Sequence, residues 1–171
     1  FYTIKGDDKE TTYPSGGDRI CNRDFADFIQ TQIVEDIRHT MMPTWQKRHL
    51  MHQSMSETRN PKVPSTIIEL LSHHNYYDMT FGLDPKFKFI ASRAIYKGML
   101  RFIHQTTGTP YVVQPLPVQQ MNVSYANKNT LQISWNERVD RLEPTATPTY
   151  YVLYTRTSQL KNGEWITSDW D

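Results

Sequence analysis

Cysteine is almost missing from this chain: Cys21 is the only one in 171 residues. A single thiol forms no internal disulfide and excludes any zinc site built on two or more thiolates, which leaves His, Asp and Glu as the only donors for a metal. Excess charge of either sign is missing too. The 19 Lys and Arg nearly balance the 18 Asp and Glu, for a formal net charge of +1. So small a charge gives no broad attraction to a polyanion, and no nucleic-acid partner is expected. No segment approaches the roughly 18 consecutive apolar residues of a membrane span, and the N-terminus lacks the basic-then-apolar pattern of a signal peptide. Internal repeats and low-complexity tracts are absent. There is no initiator Met: the chain opens on Phe1-Tyr2-Thr3-Ile4, as a strand already under way. It closes on Ser168-Asp169-Trp170-Asp171, directly after a strand-like run. Both ends read as cut, so the chain is expected to be a fragment.

What is present is the composition of a globular protein, 37% hydrophobic and 22% charged, long enough for one ordinary domain or two short ones. Residues 5 to 19 are polar, and Pro14-Ser15-Gly16-Gly17-Asp18 reads as an exposed loop. From Asn22 to His39, Phe25, Phe28, Ile29, Ile33 and Ile37 recur at spacings of three and four. That period predicts a helix burying one stripe, with Asp27, Gln30, Glu35 and Arg38 facing water and Pro43 ending it. Residues 44 to 62 carry no clear period, although Trp45 and Leu50 offer anchors for a loop or short strand. Thr66-Ile67-Ile68-Glu69-Leu70-Leu71 has the length and branching of a strand buried on both faces. Asp84-Pro85 then supplies an N-cap and a proline for the first helical position. The stripe of Phe87, Ile90, Ala91, Ala94, Ile95, Gly98 and Phe102 predicts a helix to about Ile103.

This alternation of strand and helix implies an α/β layer architecture over residues 1–104. Residues 105–116, with Gly108, Pro110 and Pro115 and no helical period, read as a linker. Residues 117–171 show only strand patterns: Met121 to Tyr125, Thr130 to Trp135 and Tyr150 to Arg156, separated by Asn127-Lys128-Asn129 and by the stretch from Pro144 to Pro148.

Glu69 is the residue whose setting folding explains least. Ile67, Ile68, Leu70 and Leu71 surround it, and an ionised carboxylate buried among them is costly unless it is paired, hydrogen-bonded or bound to a metal. Such a group is a candidate general acid or base. The plain alternative places it at an exposed strand end or has it tie down a neighbouring backbone or arginine.

The segment Lys62-Val63-Pro64-Ser65-Thr66-Ile67-Ile68-Glu69-Leu70 resembles a motif of zinc-dependent N-acetylmuramoyl-L-alanine amidases, in which a proline leads into an apolar strand ending in Val-Glu. The likeness continues at Asn75 and Asp78, at Leu83-Asp84-Pro85, and from Ala91 to Ile103, which is similar to the last helix of that family. Upstream, Arg59-Asn60 resembles the family's Leu-Arg-Asn approach, and the helix from Asn22 resembles the one before it. The resemblance covers about the first 104 residues in order. It implies a partial mixed-sheet, three-layer amidase domain, the C-terminal half of the catalytic domain.

In that family a zinc held by His, Glu and His activates water to attack the amide between the lactyl group of muramic acid and L-alanine. The glutamate matching Glu69 shuttles the proton. Zinc is therefore implied for the intact parent, with ligands upstream of this chain, and no metal ligand is assigned within it. Peptidoglycan is the implied partner and secretion, to the periplasm or cell surface, the implied location. Where the family usually reads Glu-Leu-Gly-Phe-Leu-Ser-Asn, this chain has Glu69-Leu70-Leu71-Ser72-His73-His74-Asn75. Arg59, Asn60, His73, His74 and Asn75 become candidate substrate contacts. Adjacent strand residues point to opposite faces, so His73 and His74 make a weak metal pair. His39, His49, His52 and His104 show no ligand spacing and are expected at the surface.

Leu131 to Trp135, Tyr150 to Tyr154 and the entry Pro115-Leu116-Pro117 resemble a fibronectin type III domain, which implies a partial all-β sandwich with Trp135 in its core. Exposed stacking of its aromatics on sugar is the functional alternative to packing. About 55 residues are short of the roughly 100 of such a sandwich, so open edges invite strand pairing with another chain. Two rival functions remain: a non-catalytic glycan- or protein-binding module on an amidase-like scaffold, and a metal hydrolase of another secreted glycan or peptide.

Overall fold

The computed structural model describes residues 1 to 170. They form two compact units, Phe1–Val113 and Gln114–Asp171, so the division falls inside the stretch read as a linker. The architecture is mixed: helices in the first unit, small antiparallel sheets in the second.

In the first unit α1 (Cys21–Thr40) lies on α4 (Pro85–Thr107), joined by the short helices α2 (Ser56–Arg59) and α3 (Tyr76–Leu83). The expected stripes meet at the seam, where Ile29, Ile33 and Ile37 bury against Phe87, Ile90, Ala91 and Ala94. Phe25 and Phe28 are only half-buried and lie on Phe102 at ring distances of 4.9 and 6.3 Å. The Asp84 side chain caps α4 by accepting from the Lys86 amide, and Gly108 ends it at φ 72°, a conformation that glycine adopts without strain. Gly98 is needed for a different reason. A Cβ there would stand 2.7 Å from Ile29 Cα and 3.1 Å from the Phe28 carbonyl oxygen, both backbone atoms that cannot swing aside. Gly98→Ala is therefore expected to lower the stability of this unit by about 1–3 kcal/mol. Helix propensity alone would raise it by roughly 1 kcal/mol. A urea midpoint that rises in the variant would show that the helices do not cross this closely.

Two polar features of the seam escape an apolar periodicity. Lys97 is fully buried on α4, and Asp36, 4% exposed on α1, pairs with it at 2.8 Å. Gln32, one turn before Asp36, donates to the same carboxylate at 2.9 Å.

The strand expected at residues 66 to 71 forms no sheet ladder. Ile67 exchanges both backbone hydrogen bonds with Phe1, at 2.9 and 3.1 Å, and Tyr2 bridges in parallel to His52. With one paired residue the segment is extended but not enclosed: Leu70 and Leu71 pack on the core, while Ile68 is 39% exposed. Burial on both faces is thus not found. The helix α3 was not foreseen; Asn75 caps it by accepting from the amides of Tyr77 and Asp78.

In the second unit β1 (Gln119–Asn127) pairs antiparallel with β2 (Thr130–Asn136), and β3 (Ser158–Lys161) with β4 (Glu164–Thr167). The first hairpin turns at Lys128-Asn129, where the Asn127 side chain accepts from the Asn129 amide at 3.0 Å. The second turns at Asn162-Gly163, both with positive φ (54° and 85°), as a two-residue hairpin of matching twist requires. No strand forms over Tyr150 to Arg156, because no neighbour takes up its backbone; that expectation is corrected. Trp135 is half-buried against Tyr151, with rings 5.4 Å apart. Each sheet has two strands, so every strand carries an open edge.

Candidate functional site

Beside the α1–α4 core lies a cavity of about 460 Å³. One wall is the outer flank of α1, with Ala26, Ile33 and Val34, and another is the extended segment from Thr66 to Leu70. The rest comes from the chain after α1, including Trp45 and His49, and from Tyr77, Asp78 and Phe81 of α3. Trp45 is fixed edge-on to Phe81 at 5.6 Å and tilted against Phe87 at 5.7 Å. The indole thus ties the loop after Pro43 to the core and closes one side of the space.

Glu69 lines this cavity and is exposed. The surrounding Ile and Leu therefore do not enclose it, which corrects the expectation of a carboxylate buried among them.

The segment that carries Glu69 is held at its head by Asn22, which is wholly buried at the start of α1. Its Oδ1 accepts from the Tyr13 hydroxyl at 2.6 Å and the Ser65 amide at 3.0 Å, and its Nδ2 donates to the Thr3 carbonyl at 2.7 Å. Burial pushes the Tyr13 phenol upward, with the Asn22 hydrogen bond opposing, so the ring stays a neutral donor. Arg19 completes this polar block. Its guanidinium is fully buried, lies 4.4 Å over the Tyr13 ring and donates to Glu10 at 3.1 Å and to the Arg59 carbonyl at 3.2 Å. Asn22→Ala would strand three groups at once, the buried Tyr13 hydroxyl and Thr3 carbonyl and the half-buried Ser65 amide. A loss of about 2–3 kcal/mol is expected in urea unfolding, since water admitted to the space re-pairs part of the set. A loss below about 0.5 kcal/mol, the range of ordinary surface changes, would contradict this anchoring role.

Of the six residues singled out in the sequence, only Glu69 reaches the cavity wall. Arg59 turns away to pair with Asp7 and donates to Ser54 Oγ at 3.1 Å, and the Asn60 amide, oriented to donate, reaches the same Asp7 carboxylate. Asn75 is occupied as the α3 cap. His73 and His74 stack on each other at 3.8 Å in the exposed turn before it. None of these five lines the cavity: Arg59, Asn60 and Asn75 make contacts within their loops, and His73 and His74 stay in their exposed turn. His39, His49, His52 and His104 are exposed.

Trp45, His49, Tyr77 and Asp78 join Glu69 instead. Asp78 also accepts from the Ser72 amide at 2.8 Å, which fixes the turn carrying the two histidines. The signal for Trp45 and His49 was their place just after the helix-ending Pro43, in a stretch without periodicity. Among the described residues no three His, Cys, Asp or Glu side chains converge to hold a metal ion. No helix among them is long and apolar enough to cross a membrane. Comparison of the chain with known protein families, with curated proteins and with solved structures found no match.

Proposed function

We propose that this chain is part of a peptidoglycan hydrolase of the N-acetylmuramoyl-L-alanine amidase kind, and that Glu69 moves the proton in its reaction. The observation that carries this reading is the place of Glu69 on the wall of a cavity of about 460 Å³. A carboxylate at such a mouth exchanges protons with solvent and can return one to a leaving amine. The ordered likeness from Arg59-Asn60 through Glu69 to the final helix adds support.

Zinc does not fit the residues at hand, since no three donor side chains converge among those described. In this proposal its ligands belong to other parts of the protein. Glu69 receives a proton and gives it up at the cavity wall, while Ser65, held by Asn22, keeps its segment in place. A hydrolase of this kind works outside the cytoplasm, so secretion to the periplasm or cell surface belongs to the proposal. The second unit is proposed as a partial fibronectin type III-like module. The β1–β2 hairpin and the Trp135–Tyr151 contact support it, and its open edges are proposed to pair with strands of another chain.

The exposure of Glu69 favours one second reading, a module that binds glycan or peptide without cleaving it. Digestion of purified peptidoglycan by the full-length protein separates the two. New alanine amino termini, with the glycan strands uncut, are expected for the amidase. Binding to peptidoglycan with no such termini would leave only the binding module, and cleavage confined to another glycan or peptide would replace the substrate.

A further inference from the structure

A second opening joins the cavity that Glu69 lines. It is an open cleft of about 560 Å³ bordered by Tyr2, Arg23, Asp27 and the run Lys47-Arg48-His49. Gln30, Arg48, His49 and Leu50 line both spaces, so the two are contiguous within the first unit.

The charges of this cleft are uneven. Lys47 is spent on Asp27, at 2.9 Å, and on the Thr31 hydroxyl, at 2.7 Å. Among the described residues the guanidinium groups of Arg23 and Arg48 have no hydrogen-bond or ion-pair partner. Counting Arg23, Lys47 and Arg48 against Asp27, and leaving His49 out of the count, gives two positive charges in the cleft. The whole chain carries a net charge of only +1, so this is a local concentration and not a share of a general excess. On the wall between the two spaces, the Gln30 side chain has no hydrogen-bond partner, and its Oε1 is buried. An unpaired buried acceptor is costly. A small turn of that amide toward a peptide N–H would recover the bond.

We propose that this cleft is a carboxylate-binding subsite, in which Arg23 and Arg48 hold a free carboxylate of a short peptide and Gln30 pairs with the peptide backbone. Arginine suits the task because its planar fork donates two parallel hydrogen bonds to a carboxylate. The inference rests on the function proposed above in one respect, that the peptide is the stem of peptidoglycan, whose bond to muramic acid would then lie toward Glu69.

The test measures binding in the full-length protein, by titration calorimetry, of the free stem tetrapeptide with its carboxylates intact and of the same peptide fully amidated. The free peptide contains no muramoyl amide, so nothing is cleaved and the result does not depend on catalysis. The protein is expected to prefer the carboxylate form by about tenfold or more, and Arg23→Gln with Arg48→Gln is expected to abolish that preference. Both arginines are exposed, and an unchanged circular dichroism spectrum checks that the double variant is folded. Equal affinity for the two peptides, or a preference that survives in the double variant, would overturn the subsite. Failure of the reading based on Glu69 would appear elsewhere, as unaltered turnover in Glu69→Gln beside an intact carboxylate preference.

Discussion

Lys97→Ala is expected to destabilise the first unit by about 3–5 kcal/mol, the usual cost of leaving one half of a buried ion pair alone. Lys97 has no exposure, and the Asp36 side chain it faces has 5%. The ammonium touches both carboxylate oxygens, at 3.0 and 2.8 Å, and Gln32 supplies one further donor at 2.9 Å. Without Lys97, the Asp36 carboxylate would be left between two helices with Gln32 as its one side-chain partner. The lysine stem also fills space at the seam, so truncation removes packing along with charge. Far-ultraviolet circular dichroism under urea follows this unit selectively, because all four helices among the described residues lie in it. The pair Asp36→Leu with Lys97→Met is expected to recover most of the loss, since an apolar pair of similar volume often replaces a buried ion pair without net cost. A Lys97→Ala protein within about 1 kcal/mol of wild type would mean that water reaches Asp36 and that the seam is looser than described.

The same pair marks a limit of what periodicity can tell. Ile29, Ile33 and Ile37 on one helix and Phe87, Ile90, Ala91 and Ala94 on the other announce the stripes that meet. Their spacing says nothing of Asp36 and Lys97, 61 residues apart, because a charged residue beside an apolar stripe normally faces water. Capping chemistry is local and was legible in Asp84-Pro85. It is equally present in Asn75, which precedes Tyr77 and Asp78 and caps their helix. The Asn162-Gly163 dipeptide is a hairpin signal of the same local kind, while Tyr150 to Arg156 has strand composition and no partner. Strand formation depends on neighbours that composition does not name.

Glu69 shows both effects. Its apolar neighbours are real, yet Leu70 and Leu71 turn inward while Ile68 and Glu69 face outward. An extended segment with one paired residue has no sheet to enclose it. The functional reading of Glu69 rests on its place on the cavity wall and not on enclosure. Trp45, His49 and Tyr77 come to that wall from segments far apart in the chain, a convergence that needs the fold.

The second large effect concerns catalysis in the full-length protein. Positioned general acids and bases contribute about 10²–10⁴-fold to rate, and glutamine keeps the shape of glutamate while losing its proton exchange. Glu69→Gln is thus expected to lower kcat by that factor with little change in KM, because the residue's task is in the transition state. Exposure of Glu69 makes loss of folding a poor explanation for such a drop, and an unchanged urea midpoint would check that directly. The decisive measurement is the rate of release of new alanine termini from purified peptidoglycan by the wild-type and Glu69→Gln proteins. A fall of about 10²-fold or more is predicted; equal rates would contradict the assignment of proton transfer to this carboxylate.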